Sequence, residues 1–223
     1  MSTREKTRPI SVPYVAQAKT NSSWLSNPLY YCSMKLLGIH GSPRKEGNTS
    51  LLLRELLKGA SEKGAKTTEI FISDLHIRPC IADYSCAKTG ECILKDDMQG
   101  IYKQLIEHDH IVVAAPIFFY NVNAQTKALI DRSQMFWARK YMLKQPIATD
   151  EVKRRGIFIS VGATKGSKLF EGTLLTMKYF FDTLDAQFFK SLLYKNIDTQ
   201  GDILKHPDAM KESYSLGQTL VTL

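Results

Sequence analysis

The sequence predicts a doubly wound α/β domain, a five-stranded parallel sheet with helices on both faces. Three observations predict it. Strand-like and helix-like stretches alternate five times after residue 33. The third strand-like run, "HIVVAAP" (110–116), is apolar throughout, as a strand covered on both faces should be. A glycine-rich turn, "GSPRKEGNTS" (41–50), separates the first apolar run from a leucine-rich stretch. Doubly wound sheets hold ligands at such turns, outside the carboxyl ends of their strands.

Residues 1–33 show no period and carry Pro9, Pro13 and Pro28 among Ser, Asn and Thr, so an extended N-terminal arm is expected there. Residues 34–223 form the domain. "KLLGIH" (35–40) is a short apolar run and reads as a buried strand. After the glycine turn, Leu51, Leu52, Leu53, Leu56, Leu57 and Ala60 give the apolar face of a helix that ends at Gly64. "KTTEIFI" (66–72) alternates and is β-branched, so it is the second strand. Residues 73–95 are a long loop containing Cys80, Cys86 and Cys92. In "DDMQGIYKQLIEH", Asp96 with Gln99 three residues later predicts a capping box, and Met98, Ile101, Tyr102, Leu105 and Ile106 its buried face. A helix is expected within 123–140, a fourth strand at "GIFISVG" (156–162) and a helix over "LFEGTLLTMKYFFDTL". "AQFFKSLLY" (186–194) is the fifth strand, and 207–221 a closing helix.

Composition narrows the function. The chain has 223 residues, 43% hydrophobic and 23% charged, which suits one domain with a substantial core. No apolar run approaches the roughly 20 residues that span a bilayer. The N-terminus lacks the apolar block of a secretory signal, so no membrane association and a cytoplasmic location are expected. Lys and Arg number 30 against 22 Asp and Glu, a net charge of +8. That excess suits anionic small molecules as well as nucleic acid, so it decides little alone. No basic helix, zinc-finger spacing or RNA-binding signature accompanies it, so no nucleic-acid partner is expected. His108 and His110 read as surface or strand-end residues.

The glycine turn matches neither familiar nucleotide loop. A P-loop needs four residues between its glycines and then Lys. Here five separate Gly41 from Gly47, and Asn48 follows. Ser42-Pro43 breaks the dinucleotide fingerprint. What remains is Ser42, Arg44, Asn48, Thr49 and Ser50 around a helix start. There, unpaired N–H groups, hydroxyls and a forked cation suit a terminal phosphate monoester. A polar turn with an Asn or Thr cap explains the same residues. Two more loops favour the ligand. Pro116 stops the third strand before four apolar or aromatic residues, Ile117, Phe118, Phe119 and Tyr120, followed by Asn121. Gly162, Ala163 and Thr164 are small and let backbone N–H groups approach a ligand. A phosphate cradle, an aromatic shelf and a small-residue loop together describe an FMN site.

The stretches "MKLLGIHGSPRKEGNTSLLLRELLKGA", "PCIADYSCAKTGECILKDDMQGIYKQL", "VVAAPIFFYNVNAQTKALIDR" and "SVGATKGSKLFEGTLLTMKYFFDTLDAQ" resemble the flavodoxin-like NAD(P)H-dependent FMN reductase family. Within it they resemble the branch containing the iron–sulfur flavoproteins. The resemblance covers about residues 34–205. It implies a flavodoxin-like strand order 2-1-3-4-5, bound FMN, and a homodimer or homotetramer with FMN near the interface. It also implies electron transfer from NAD(P)H to a flavin, a quinone or another small acceptor. By the same resemblance, Ser42, Arg44, Asn48, Thr49 and Ser50 match the phosphate loop, Pro116 to Asn121 the ring loop, and Gly162 to Thr164 the third loop. No catalytic side chain is expected, because the cofactor carries the chemistry.

The branch implies a 4Fe–4S cluster on four cysteines. Cys80, Cys86 and Cys92 match the first, third and fourth motif positions, but Asp83 stands at the second. Cys32 in the arm is the only other thiol, and a return of the arm would let it complete the set. A loop of reduced, partly buried thiols is therefore expected, with a cluster and a redox-active cysteine pair as the alternatives. Three other roles compete with the oxidoreductase: an iron–sulfur flavoprotein, a flavodoxin-type carrier without nicotinamide turnover, and a flavin-sensing regulatory module. The net charge of +8 argues against the carrier, which would dock through acidic groups on a basic partner.

Overall fold

The computed structural model describes residues 34–148 and 153–222. The arm expected at 1–33, and Cys32 with it, lies outside the described residues. Five strands form the sheet: β1 (Lys35–His40), β2 (Lys66–Phe71), β3 (His110–Ala114), β6 (Arg155–Gly162) and β7 (Gln187–Lys195). A separate two-stranded hairpin, β4 (Ile117–Phe118) with β5 (Asn121–Val122), follows β3. The sheet order is β2-β1-β3-β6-β7, with every pairing parallel. This is the flavodoxin-like order.

The period of two along each strand sorts side chains between two cores. Leu37, Ile39, Ile111, Val113 and Phe158 face one core, together with α3 (Met98–Glu107), α4 (Ala124–Arg132), α5 (Gln134–Trp137) and α6 (Glu171–Thr183). Leu36, Val112, Ala114, Ile157 and Ile159 face the other, with α1 (Asn48–Glu62) and α7 (Pro207–Val221). Central strands covered on both sides favour apolar residues on both faces, which explains the unbroken "IVVA" after His110. The edge strands β2 and β7 remain half-exposed and keep Lys and Glu.

Helices α1 and α7 meet closely through glycine. A Cβ on Gly217 would lie 1.9 Å from the Leu56 carbonyl oxygen, and one on Gly59 would lie 2.2 Å from that of Tyr214. These obstacles are backbone atoms, so no rotamer change relieves them. Gly217→Ala should lower stability by about 1–3 kcal/mol, the usual cost of overpacking. That loss comes despite the roughly 1 kcal/mol alanine gains in helix propensity. A urea midpoint equal to the parent's would refute this packing.

Several expectations need correction. Asp96 and Gln99 do not form a capping box. Asp96 accepts from the Met98 N–H at 3.2 Å, but the Gln99 amide turns outward to the carbonyls of Cys92 (3.3 Å) and Leu94 (2.8 Å). Ile106 is 41% exposed, because Met98, Ile101, Tyr102 and Leu105 already complete the buried stripe. The single helix expected within 123–140 is three pieces. Ser133 closes α4 by turning its hydroxyl back to the Leu129 carbonyl (3.1 Å), α5 follows, and Ala138–Met142 widens into a π-turn. His108 and His110 stand at the amino-terminal edge of the sheet, as strand-end residues, but both are buried. His108 is held by the Gln104 carbonyl and the Thr68 hydroxyl.

Candidate functional site at the carboxyl edge of the sheet

β1 ends at His40, and the chain turns under β3 before entering α1. Gly41 donates its N–H to the Ala114 carbonyl at 2.8 Å and accepts from the Thr126 hydroxyl at 3.2 Å. A Cβ there would lie 2.3 Å from Thr126 Oγ1, so only glycine passes. Ser42 Oγ accepts from the Arg44 N–H at 3.1 Å and tightens the turn. Gly47 is the helix cap and contributes no side chain; a Cβ there would crowd Ser42 Oγ at 2.7 Å.

The first intrahelical bond of α1 runs from Leu51 N–H to the Gly47 carbonyl. The N–H groups of Asn48, Thr49 and Ser50 therefore have no helical acceptor and present partial positive charge. Thr49 Oγ1 and Ser50 Oγ are buried without a hydrogen-bond partner among the described residues. A buried, unpaired hydroxyl is costly, so Thr49 beside an open cleft marks a place for a polar ligand. Asn48 is different. Its amide donates to the Thr199 carbonyl (2.9 Å) and accepts from the N–H groups of Gly201 (2.9 Å) and Ile203 (3.3 Å). That side chain clamps the turn after β7, leaving its backbone N–H for a ligand.

The cleft has a volume of about 220 Å³. Of the residues singled out by sequence, Ser42, Arg44, Asn48, Thr49, Pro116, Ile117, Phe118, Gly162 and Ala163 line it. Ser50 is buried behind it. Phe119, Tyr120, Asn121 and Thr164 stand outside its wall. Asn121 instead accepts from its own neighbour's N–H, Val122, at 2.8 Å and donates to Thr176 Oγ1 at 3.3 Å, which fixes the hairpin against α6. Phe119 and Tyr120 form the hairpin tip with φ of 48° and 61°, a left-handed pair unusual for aromatics. Phe119 is fully exposed. Sequence reasoning missed Val161 and the turn after β7, where Ile197, Asp198 and Gln200 complete the wall. The signal was available: β7 ends at the same edge, and "NIDTQG" is a polar turn like the others.

Beneath the turn, His40 is fully buried and stacks on Phe71, with centroids 4.0 Å apart and planes at 5°. Its Nε2 lies 2.8 Å from the Glu69 carboxylate. Burial pushes the imidazole pKa down, against the pull of Glu69; Arg54 also lowers it, and Glu46 opposes. The folded state therefore favours the neutral ring, which donates from Nε2. Its stabilising share is complete above the unfolded value of about 6.5 and is lost as pH falls below it. Burial lowers His110 in the same direction. The denaturation midpoint should fall between pH 7 and 5, and less steeply in His40→Gln. A pH-independent midpoint would contradict this.

The cysteine loop, which contains the short helix α2 (Cys86–Thr89), leaves β2 on the same edge of the sheet. Cys80, Asp83, Cys86 and Cys92 line a second hollow of about 290 Å³, together with Arg132 and Met135. Cys80 is exposed, while Cys86 and Cys92 are half-buried and pack against the first core. Burial raises the Cys86 thiol pKa, and the neighbouring Cys92, Cys80 and Asp83 raise it further. Among the described residues, no three His, Cys, Asp or Glu side chains are grouped to share a metal ion. No helix among them is long and apolar enough to cross a membrane.

The parallel sheet and its strand order define a flavodoxin-like protein. Residues 34–190 match the family described as NADPH-dependent FMN reductase, and the chain belongs to it. It is 45% identical over 101 residues to an iron-sulfur flavoprotein of Methanocaldococcus jannaschii, covering 45% of this chain and 52% of that one. It is 37% identical over 132 residues to an iron-sulfur flavoprotein of Methanosarcina thermophila, covering 59% of this chain and 65% of that one. The matches thus span about half to two-thirds of these relatives' length. Among solved structures, an NAD(P)H:quinone oxidoreductase of Methanothermobacter marburgensis superposes with a TM-score of 0.62 at 13% identity, covering 84% of this chain and 96% of that one. That likeness concerns the fold.

Proposed function

We propose that the protein binds FMN in the cleft and passes electrons from NAD(P)H to a flavin, a quinone or another small acceptor. One observation carries the reading: the unpaired Thr49 hydroxyl and the free N–H groups of α1 converge on a cleft whose other walls are the aromatic hairpin and the Gly162-Ala163 loop. The phosphate would rest on the N–H groups of Asn48, Thr49 and Ser50, on the Thr49 hydroxyl and on Arg44. Pro116 to Phe118 and the Gly162 loop would flank the ring. When bound, FMN supplies the hydride-accepting ring, and no side chain need move a proton. The chain's own task is to hold, orient and shield it.

At about 220 Å³ the cleft is smaller than the roughly 300–1,000 Å³ of complete small-molecule sites. It suits the phosphate and the sugar chain and leaves the ring to be covered from outside. Exposed apolar residues abound: Phe118 lines the cleft, Phe119 and Tyr120 form the hairpin tip next to it, and Trp137, Tyr141 and Tyr179 line a separate surface hollow between α5 and α6. Phe136, the neighbour of Trp137 in the chain, is fully buried against Tyr102. A homodimer or homotetramer closing over the ring is the reading these residues support. Light scattering of the FMN-loaded protein should give a mass of at least twice 25.2 kDa, and a monomer would refute it.

The function is tested by anaerobic mixing of the FMN-loaded protein with NADH or NADPH, followed by addition of a quinone or free flavin. Bleaching of the flavin absorbance and then turnover are expected. Stoichiometric FMN with no reduction by either nucleotide would sink the reading and favour the carrier or the sensor.

A further inference from the structure

The relatives named above are iron-sulfur flavoproteins, and the residues of this chain do not fit such a cluster. We propose that the cysteine loop is cluster-free, and that a buried ion pair, Asp96 with Arg132, holds it in place of a metal. The donor set is the first reason. A four-iron cluster takes four thiolates, and Asp83 stands at one of the four positions. Carboxylate oxygen is a hard donor and suits an iron–sulfide corner poorly. The second reason is placement. Cys86 and Cys92 lie against the first core as well as lining the hollow, so of the three thiols only Cys80 is exposed there.

The third reason is that the loop needs no metal to fold. Its two ends converge on one guanidinium. Arg132 donates to the Arg78 carbonyl at 2.9 Å and to the Asp96 carboxylate at 2.6 and 3.1 Å, with a longer contact to the Leu94 carbonyl at 3.4 Å. Asp96 also accepts the Arg78 N–H at 3.0 Å. Both charged side chains are almost completely buried. Asp97 adds a second stitch, accepting the His76 N–H at 2.7 Å and donating its own N–H to the His76 carbonyl. Residues 76–78 and 94–97 are thereby tied together, and the segment between them is an excursion closed at its base. In a loop organised by a cluster, the metal would supply that closure. Here the polypeptide does, and FMN is left as the chain's redox centre.

The inference rests on the proposed function only for the role of FMN, and its test reads iron rather than turnover. The full chain is produced with an iron–sulfur assembly system and purified without oxygen. Iron, acid-labile sulfide and FMN are counted per chain, and accessible cysteines are alkylated and mapped by mass spectrometry. Expected are iron and sulfide near zero, with prompt alkylation of the exposed Cys80 and slower alkylation of the half-buried Cys86 and Cys92 at a rate that a chelator leaves unchanged. About four irons per chain with all three thiols protected until a chelator is added would overturn the proposal. Asp83→Cys should gain iron on reconstitution. A variant that stays iron-free would show that Asp83 is not the reason. Hydrogen exchange tests the brace: in Arg132→Met, or in Asp96→Asn should that variant fail to fold, residues 79–93 should lose protection while β1 and β3 keep theirs. Unchanged protection would overturn the bracing role. Absence of FMN from the same sample would fail the proposed function without touching the iron result.

Discussion

Replacing Arg44 and Thr49 together by alanine should weaken FMN binding by about 2–4 kcal/mol, the range for losing hydrogen bonds to a charged group. That is a rise in Kd of about 30- to 700-fold. Titration of the apoprotein with FMN, followed by quenching of flavin fluorescence, reads it directly. Thr49→Ala alone separates a ligand role from a structural one. Its hydroxyl is buried and has no partner among the described residues, so removing it relieves a desolvated group in the apoprotein. Alanine is also the better helix former. The apoprotein should keep or gain stability while FMN affinity falls. A variant that loses stability yet binds FMN as the parent does would remove Thr49 from the phosphate site.

Asp96→Ala should cost about 3–5 kcal/mol of folding stability, because it strands the Arg132 guanidinium in a buried site. The side chains of the pair are 2% and 0% exposed, and the pair also closes the cysteine loop. The Lys127–Asp131 pair on the adjoining face of α4 is a control. It is 43% and 46% exposed, so Asp131→Asn should change stability by no more than about 0.5 kcal/mol. Titration behaviour gives an independent check. Burial alone would raise the Asp96 carboxyl pKa, but the Arg132 hydrogen bond and the N–H groups of Arg78 and Met98 outweigh it and hold the value down. Its stabilising share is therefore present above the unfolded value of about 3.9 and is lost as pH falls through the lower folded one. Equal acid sensitivity in the parent and in Asp96→Ala would contradict that assignment.

The proposed activity and the loop inference bear on each other. If the cysteine loop carries no cluster, an acceptor must reach the flavin itself. The fully exposed Phe119 at the tip of the hairpin then matters for access to the ring as well as for assembly. The left-handed φ values at Phe119 and Tyr120 are costly for aromatic residues, of the order of 1 kcal/mol each. A second subunit packed on that tip would offset the strain.

The sequence by itself determined the architecture and which turns lie together at the carboxyl edge of the sheet. The sheet could be read because its signals are local. "HIVVA" is buried at every position, and apolar from Ile111 on, because both faces of β3 are covered, and the β1 turn needs Gly41 and Gly47 because a Cβ would strike Thr126 at one and Ser42 at the other. Ser42, Arg44 and Thr49 follow one another along a single turn, so their convergence needs no long-range information. Tertiary structure decided what depends on partners far away in the chain. Asn48 looks like a phosphate ligand in its own turn, yet its amide is taken by Thr199, Gly201 and Ile203, about 150 positions on. Asp96 looks like half of a capping box, and its partner is Arg132, 36 residues later. Phe136 and Trp137 are neighbours in sequence, but the 100° step between helical residues turns one into the core and the other toward solvent. Side chains with several hydrogen-bonding options choose among them only when the fold brings the competitors together, and that choice is where the local pattern stops being informative.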